Sequence, residues 1–599
     1  MIRPLFVFAA LALAPRLPAQ SAPISDIAYR VTFDRALASR GMVHVDMMFT
    51  TSGSAPVVLG LPAWTPGSYE LAYFARFAGE ITATGDGKPI RWEKSDYDSW
   101  KVFPAGAKSV TVSFDSRADS LDVGFAWSRP DFLLFNGANL FLYPEGRGFD
   151  FPARVRIVTD GAWRVVTEMA PAGPADTYQA SNYHDLVDMP FFIGRLGLDS
   201  VRVRDGWARL AWYPADGLPP AERAAELAQI AKIIPVEGQV FGEIPWKRYS
   251  VMEIFDSTYQ GLEGLEHQNS HVDIFAAQAI GSEYLPSFYA HEIFHAWNVK
   301  RLRPAELWTY QYAHEQPTSW LWMSEGITDY YADLSEARAG IVDRDGFLDL
   351  TASKVTDVAR TRPIALHDAS LNSWIHMPDG TEYVYYTKGS LVGMMLDILI
   401  RDASDGKRSL DDVMRQLYRD AYKRGMGFTP AQWWSAVSAA ASGKSFADFE
   451  SQYVTGRDPL PYASVFPLAG LTVQIDSARN LWLGVQYRSD SAANMEVAQV
   501  LPGYTAEEAG VQPGDVITAI GTHAVRTRED VAAAAEHFTE SGAPMTLTVR
   551  RGAQVMMLQT HAHLRTRVDA KVLIDPAASP KAQGILAAML SGASPPPPR

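Results

Sequence analysis

The sequence predicts a multidomain α+β protein, and three observations lead to this prediction. The chain has 599 residues, which is enough for three or four domains of ordinary size. Its hydrophobic fraction of 47% and its charged fraction of 20% are typical of a folded globular chain. The spacing of its apolar residues changes twice, from alternating to helical and back, which divides the chain into three folded parts.

The first part, residues 23–205, is expected to form a β-sandwich-like domain. Segments such as "VHVDMMFTT" and "KSVTVSFDS" alternate apolar and polar residues, and Gly, Pro and Asp separate them. A period of two residues with frequent turn signals is typical of antiparallel strands that bury one face.

The second part, residues 206–465, is dominated by helical spacing. The segments that carry it are "PAERAAELAQIAKIIPVEGQVFG", "PSFYAHEIFHAWNVK", "TSWLWMSEGITDYYADLSEARAG" and "TKGSLVGMMLDILIRDAS". Their apolar residues recur every three or four positions, which indicates amphipathic or buried helices.

The third part, residues 470–566, returns to short strands such as "MEVAQVLPG" and "PMTLTVRRG". Residues 567–599 are expected to be a C-terminal tail. The tail ends in "ASPPPPR", a composition that is typical of disordered or polyproline-like segments.

The N-terminus, residues 1–20, is predicted to be a signal peptide. Arg3 supplies the positive charge, the apolar run from Leu5 to Ala14 is too short to span a bilayer, and small residues near Gln20 offer a cleavage region. The alternative is a buried N-terminal strand. No later segment reaches 18 continuous apolar residues, so we expect no membrane span.

Cysteine content and net charge narrow the class of protein further. The absence of cysteine excludes disulfides, cysteine-ligated metals and a lipoprotein anchor. Together with the signal peptide, it favours a periplasmic or otherwise secreted protein. The formal net charge of −14 disfavours binding to nucleic acid, which requires basic patches.

The stretch "HEIFH" places His291 and His295 four residues apart, with Glu292 directly after the first. Positions i and i+4 share one face of a helix, so the two imidazoles can bind one metal ion. In this arrangement the glutamate acts as a general base on a water molecule that the metal activates. Two histidines that merely share a helix face are the alternative.

A catalytic zinc needs a third protein ligand, and Glu325 is the main candidate. It lies in the apolar, aromatic run "WLWMSEGITDYY", where burying a carboxylate is costly unless it is paired or binds a metal. Asp329, four residues on, is placed to accept a hydrogen bond from a ligating histidine. A surface position for Glu325 is the alternative, and His314, in a polar loop-like stretch, is a weaker third ligand.

Taken together, "HEIFHAWNVKRLRP" and "LWMSEGITDYY" resemble the M61 metallopeptidases, the glycyl aminopeptidase family of gluzincins. The similarity extends to "LPAWTPGSYELAYFAR", to "GLEHQNS" and to a PDZ-like C-terminal region, and so covers nearly the whole mature chain. It implies a thermolysin-like zinc catalytic domain with a helical extension. It also implies one Zn²⁺ per chain on His291, His295 and Glu325, with Glu292 as the catalytic base.

The resemblance also assigns substrate-binding residues. The family pattern Gly-Leu-Glu-His aligns with Gly264, Leu265 and Glu266 followed by a histidine, and it implies that Glu266 binds the α-ammonium of a peptide. The chain departs from the pattern in having two tandem Gly-Leu-Glu units, which leaves the role of Glu263 open. An exposed loop carboxylate is the alternative for Glu266.

A phenol that stabilises the tetrahedral intermediate is expected in "VYYTKGSLVG". By resemblance to the broader aminopeptidase clan, this group is Tyr386, because a phenol donates a hydrogen bond while it stays neutral. Tyr383 and Tyr385 are close enough in sequence to be confused with it, and all three could be core aromatics.

The stretch "LWLGV" and the later "EEAGVQPGDVITAIG" resemble the carboxylate-binding loop and the hallmark segment of a PDZ domain. The resemblance implies that backbone N–H groups of Leu483 and Gly484 bind peptide C-termini, with the ligand beside a helix near Asp530. A PDZ domain that only packs against the rest of the protein is the alternative.

These expectations combine into an exported zinc aminopeptidase that acts on peptides, with family resemblance favouring small N-terminal residues such as Gly and Ala. Two alternatives stay open from the sequence. One is a zinc endopeptidase of thermolysin type, and the other is a catalytically silent peptide-binding protein.

Overall fold

The computed structural model describes residues 21–79, 81–160, 163–488 and 495–592, so the predicted signal peptide lies outside the described residues. The chain forms two compact units. Of the described residues, the larger takes those up to 350, those within 362–471 and those from 575 onward, and the smaller takes those within 351–361 and 472–574. No helix within the described residues combines the length and the apolar character needed to cross a membrane.

The larger unit begins with a β-rich N-terminal domain, as predicted. The described strands form an eight-stranded sheet and two four-stranded sheets. In strand Met42–Thr51 alternate side chains point into the core, which confirms the period of two read from the sequence. The strands are Ile24–Phe33, Met42–Thr51, Val57–Gly60, Thr82–Gly85, Lys88–Pro89, Trp92–Asp96, Ser99–Val102, Ser109–Arg117, Trp127–Arg129, Phe132–Asn136, Tyr143–Pro144, Ala153–Thr159, Arg164–Val166, Ala170–Pro171, Thr177–Ala180 and Pro190–Gly194.

The second domain of this unit is built on a five-stranded mixed sheet. Its strands are, in spatial order, Gly197–Val203, Gly206–Tyr213, Arg248–Asp256, Ser270–Ala276 and Leu262–Glu266. The last of these, the edge strand, pairs antiparallel with Ser270–Ala276. The sheet therefore begins at Gly197, which corrects the predicted boundary at 205/206. The first two strands form a hairpin, so the alternating pattern continues unbroken from one domain into the next.

One face of this sheet packs on the N-terminal domain through an apolar layer, with Phe132 and Phe192 on one side and Met252, Ile254 and Leu265 on the other. The edge strand is thereby fixed beside the N-terminal domain. Helices cover the opposite face of the sheet and fill the rest of the domain. The main helices after the first domain are Pro220–Phe241, Leu285–His295, Thr328–Arg338, Arg344–Arg360, Leu366–Asn372, Val384–Ala403, Leu410–Asp420, Pro430–Ala440 and Pro580–Ser591.

The C-terminal segment differs from the predicted tail. Residues Leu564–Ile574 form a strand, and Pro580–Ser591 form a helix that buries Ile585, Leu586 and Met589 in the larger unit. The apolar side chains at positions 585, 586 and 589 share one helix face, which explains why this helix packs. The proline-rich end, residues 593–599, lies outside the described residues.

The smaller unit contains the PDZ-like region. Its helices are Thr505–Ala509 and Arg528–Ala535, and its strands are Leu471–Leu481, Val485–Tyr487, Val497–Val500, Val516–Ile520, His523–Ala524, Pro544–Arg551, Gln554–His561 and Leu564–Ile574. Its own apolar core includes Leu483, Ile517, Ile520, Leu547 and Val549.

Candidate metal centre and peptide-binding sites

The predicted histidine pair lies on helix Leu285–His295, which we call the histidine helix. Pro286 in the first turn favours helix initiation, and Ile293 and Phe294 are fully buried, so packing fixes the rotation of the helix. His291 and His295 are one turn apart on the same face, with their Nε2 atoms 3.0 Å from each other.

Glu325 completes the cluster from a neighbouring segment. It lies in a π-helical turn, Trp322–Ile327, that leads into helix Thr328–Arg338. Turns of this kind occur mostly as single insertions and are frequent at functional sites. The Oε2 atom of Glu325 lies 3.1 Å from Nε2 of His295 and 3.5 Å from Nε2 of His291.

The geometry of these three atoms fits a metal ion. In tetrahedral coordination with bonds of about 2.0–2.1 Å, two ligand atoms are about 3.3 Å apart, and the three observed separations are 3.0, 3.1 and 3.5 Å. The residues His291, His295 and Glu325 are the set among the described residues whose ligand atoms converge in this way. His314, the weaker candidate, is exposed in a loop and is not part of this set.

Hydrogen bonds behind the histidines fix which nitrogen faces the cluster. Nδ1 of His295 donates to the carbonyl of Asn298 at 2.7 Å, so its Nε2 carries a lone pair toward the cluster. Asn298 is itself held by bonds to the Met323 carbonyl and to Thr328, both at 3.0 Å. Asp329 lies 3.8 Å from Nδ1 of His291, near the position predicted for it. Sequence reasoning missed Asn298, because it acts through its backbone.

Charge also favours a cation between these groups. Burial by itself would raise the pKa of Glu325, but the imidazoles of His295 and His291 hold that pKa well below its ordinary value. The carboxylate is therefore ionised in a buried pocket, where positive charge on its neighbours or on a bound metal ion offsets its own. Buried charges of this kind are normally paired or coordinate a metal.

Glu292 lies beside the cluster and is 5% exposed. Burial raises the pKa of this carboxyl to about 7, against the opposing effect of the two imidazoles. A carboxyl that titrates near neutrality can both accept and return a proton. Its Oε1 atom packs directly against the backbone of Gly264 in the edge strand.

The edge strand places the predicted substrate residues on two faces. Gly264 and Glu266 face the histidine helix, whereas Leu265 is buried in the apolar layer against the N-terminal domain. Leu265 can therefore contribute only its backbone to substrate binding. Glu263 shares the face of Leu265 and is exposed.

Glu266 is not an exposed loop carboxylate, because only 5% of it is accessible. Its Oε1 atom lies 3.5 Å from Nζ of Lys300, which also contacts Asp188 at 3.1 Å and donates to the Pro66 carbonyl at 2.9 Å. Burial lowers the pKa of Lys300, but Asp188 and Glu266 together hold it above its ordinary value. Glu266 thus already has a cationic partner, which the sequence did not predict.

The three candidate tyrosines occupy different environments. The ring of Tyr386 lies 5.9 Å from that of His291, whereas Tyr383 is 54% exposed and Tyr385 is buried. Burial and the nearby charge of Glu325 hold the pKa of Tyr386 well above its usual value, so its phenol stays protonated. The structure thus brings Tyr386 to the cluster as a neutral hydrogen-bond donor.

The N-terminal domain reaches the same cluster through the loop that contains "WTPGSYE". The hydroxyl of Tyr69 lies 3.4 Å from Oε1 of Glu325. Gly67 has a φ of +115°, and a Cβ atom there would lie 2.7 Å from the Glu266 carboxylate. Sequence reasoning used this loop only as a point of family resemblance and assigned neither residue a role.

A groove of about 760 Å³ lies within the smaller unit, between strand Val485–Tyr487 and helix Arg528–Ala535. Leu483 and Gly484, the residues predicted to bind a peptide C-terminus, line this groove, and Gly484 has a φ of +73°. Four arginines and two acidic residues also line it: Arg360, Arg528, Arg565, Arg567, Glu536 and Asp569. Asp569 pairs with two of these arginines.

Three parts of the chain match known protein families. Residues 28–195 match the Peptidase M61 N-terminal domain, residues 285–392 match the M61 glycyl aminopeptidase model, and residues 496–551 match a PDZ domain. Two separate parts of the chain thus match models of the M61 metallopeptidases. The matched ranges include His291, His295, Glu325 and the loop that contains Tyr69.

Individual proteins that resemble this chain are distant in sequence. The crystal structure of an aminopeptidase N family protein from Idiomarina loihiensis is 24% identical, with a TM-score of 0.79 over 94% of this chain and 100% of that chain, which shows a shared fold. An M1 zinc metallopeptidase from Deinococcus radiodurans is 15% identical over 74% of this chain and 96% of that chain, with a TM-score of only 0.49. A curated relative, the putative serine protease HhoB of Synechocystis, is 28% identical over 135 residues. That match spans 21% of this chain and about a third, 31%, of the relative.

Proposed function

We propose that this protein is an exported zinc aminopeptidase that removes N-terminal residues, preferably small ones such as Gly and Ala, from peptides. The observation that carries the proposal is the convergence of two Nε2 atoms and one carboxylate oxygen beside a buried glutamate. The glycyl aminopeptidase model matched by residues 285–392 supports the class of substrate.

His291, His295 and Glu325 would hold the zinc ion. Bound zinc supplies Lewis acidity, which polarises a peptide carbonyl and makes water more acidic. Glu292 takes a proton from the attacking water and carries it to the leaving amine, and its pKa of about 7 suits both steps. Tyr386 donates a hydrogen bond to the developing oxyanion from beside His291.

The edge strand positions the substrate. A peptide that adds to this strand would extend the five-stranded sheet and pass Gly264 next to Glu292. Glu266, on the same face, would then bind the α-ammonium of the first residue. Because Lys300 already partners Glu266, the ammonium must bind alongside that lysine.

The pairing of Lys300 with Glu266 favours a second candidate function, that of a zinc endopeptidase. If Lys300 satisfies the charge of Glu266, this carboxylate offers little to a free N-terminus, and blocked peptides would be cleaved as well. The two candidates share the metal centre and differ only in how they treat the end of the peptide.

A panel of aminoacyl reporter substrates, free and N-acetylated, tests the proposal. We expect faster cleavage of the free substrates, with Gly and Ala preferred, about one zinc per chain by elemental analysis, and loss of activity with a chelator that zinc restores. Equal cleavage of free and acetylated substrates would establish the endopeptidase. Binding of labelled peptides without any turnover would establish the catalytically silent receptor.

For the groove of the smaller unit, we propose peptide C-termini with acidic side chains as ligands. Arg360 and Arg567 are partly neutralised by Asp569, whereas Arg528 and Arg565 contact aromatic rings, at 5.9 Å from Tyr487 and 5.2 Å from Trp482. The charge that these two arginines present to the groove complements a carboxylate side chain. Export through the predicted signal peptide is a further part of the proposal, and cell fractionation tests it.

A further inference from the structure

The two oxygens of Glu325 have different partners. Oε2 faces the two imidazoles, at 3.1 and 3.5 Å. Oε1 accepts a hydrogen bond from the hydroxyl of Tyr69 at 3.4 Å. Tyr69 lies 256 residues earlier in the chain and belongs to the N-terminal domain, so one oxygen of this carboxylate is held by a different domain from the one that carries it.

The backbone of Tyr69 is held in an unusual conformation. Its φ is +47°, in the left-handed region that a bulky residue rarely adopts, and it is only 5% exposed. Strain of this kind persists only where the surroundings fix it, and it is common at functional sites. The ring packs edge-on against Trp374, with the centroids 6.2 Å apart, and Trp374 in turn packs against Trp64.

Contacts with the catalytic domain hold the stretch of the loop that directly precedes this residue. The backbone N–H of Ala63 donates to the carbonyl of Tyr312 at 2.6 Å, and Nε1 of Trp64 donates to the carbonyl of Gln311 at 2.8 Å. The carbonyl of Pro66 accepts from the buried Lys300 at 2.9 Å. The hydroxyl of Tyr69 therefore has little freedom to leave Glu325.

We propose that Tyr69 is a positioning residue of the metal centre, which holds Glu325 so that Oε2 faces His291 and His295. This inference rests on the proposed role of Glu325 as a metal ligand. It makes the N-terminal domain a structural part of the metal site rather than only a neighbour of it. Partners of this kind fix ligand orientation, and their loss typically lowers metal affinity about 10–100-fold.

The variant Tyr69→Phe tests the inference, because it removes the hydroxyl and keeps the ring that packs on Trp374. The matched control is Tyr73→Phe, in the same loop. Tyr73 has a similar φ of +49°, and its ring packs on Tyr97 instead. The zinc dissociation constant of each full-length apo-protein would be measured by competition with a chromophoric chelator. The absorption spectrum of the cobalt-substituted form would report the ligand geometry, and thermal unfolding of the apo-form would report the fold.

We expect Tyr69→Phe to weaken zinc binding about 10–100-fold and to change the cobalt spectrum, with Tyr73→Phe like the wild type in both. Zinc affinity and a cobalt spectrum unchanged in Tyr69→Phe would overturn the inference. A Tyr69→Phe variant with unchanged zinc affinity but a lower kcat at full metal occupancy would also overturn the inference, since Tyr69 would then act on the substrate. If wild-type protein bound no metal, the proposed function itself would fail. If Tyr69→Phe did not fold, Trp374→Phe would replace it, and unchanged zinc affinity there would count against the inference.

Discussion

Gly264 packs against the carboxylate of Glu292, so that a Cβ atom on Gly264 would overlap Oε1. The edge strand and the candidate base are thus in contact with no side chain between them. A peptide lying along this strand would therefore pass directly beside the group that handles the proton. The contact also explains why a residue with no side chain occupies this position of the strand.

The first prediction follows from this contact. Gly264→Ala should displace the Glu292 carboxylate and lower kcat by about 10²–10⁴-fold, the usual contribution of a general base, while zinc content stays the same. Gly584→Ala is the control, because a Cβ atom there meets nothing within 4 Å. Near-normal turnover in Gly264→Ala would mean that Glu292 tolerates displacement and that the contact is not needed.

The second prediction isolates the base. Glu292→Gln keeps the size of the side chain and removes its ability to accept a proton, so kcat should fall by about 10²–10⁴-fold or more with zinc still bound. Elemental analysis and reporter turnover on the same preparation check this. A metal-loaded Glu292→Gln protein with ordinary activity would rule out Glu292 as the base.

A third prediction concerns pH and stability. Glu226, Glu253 and Asp273 are buried between the sheet and its helices, and burial raises the pKa of Glu226 to about 8. Because this folded-state value lies above the ordinary 4.5, the stability linked to Glu226 is present below pH 4.5 and is lost as the pH rises through 8.

Glu226→Gln should therefore be more stable than the wild type by about 1–3 kcal/mol at pH 9, the usual cost of a buried unsatisfied group, and similar to it at pH 5. Urea denaturation at the two pH values measures this difference. Glu222→Gln, on the same helix and only half-buried, is the control. A wild-type protein whose stability does not fall between pH 5 and pH 9 would contradict the assignment.

The sequence predicted that His291, His295 and Glu325 lie together, and the structure brings their ligand atoms together. Four-residue spacing on a helix brings His291 and His295 to one face whatever the rest of the fold does. Glu325 was found because a carboxylate in an apolar run needs a partner, and the structure brings its Oε2 to the two imidazoles.

Other features of the site could not be predicted from local pattern. Tyr69 meets Glu325 across 256 residues, and the Lys300–Glu266 pair depends on how a loop packs on a strand. The domain boundary was misplaced because one hairpin continues the alternation of the preceding sheet. The C-terminal helix Pro580–Ser591 was missed because only three of its side chains are large and buried, beside a proline-rich end.

A fourth prediction concerns the groove of the smaller unit. Arg528→Glu should weaken binding of a peptide with an acidic residue near its C-terminus about tenfold, since losing one charge-assisted contact costs about 1.4 kcal/mol or more. Arg526→Glu is the control, because Arg526 precedes the same helix without lining the groove. Fluorescence anisotropy with full-length protein, using peptides that carry Glu or Gln at one position, measures the effect. Equal affinity for the two peptides would exclude a preference for acidic side chains.

The last prediction decides between the aminopeptidase and the endopeptidase. Glu266 is buried beside Lys300, whereas Glu263, in the other Gly-Leu-Glu unit, is exposed on the opposite face of the edge strand. An α-ammonium held by Glu266 gains a charge-assisted hydrogen bond of about 1.5–3 kcal/mol. Glu266→Gln should therefore slow cleavage of free-amine substrates about 10–100-fold.

Zinc content should not change in Glu266→Gln, because Glu266 is not a ligand in the cluster. Acetylated substrates should be poor for the wild type and should gain relative to free ones in the variant. Glu263→Gln is the matched control, and we expect it to behave as the wild type. If Glu263→Gln showed the effect instead, the N-terminus would bind on the exposed face of the strand. A third outcome is that neither variant slows the cleavage of free-amine substrates, while acetylated peptides are cleaved as fast as free ones. In that outcome Lys300 neutralises the charge of Glu266, and the enzyme is an endopeptidase.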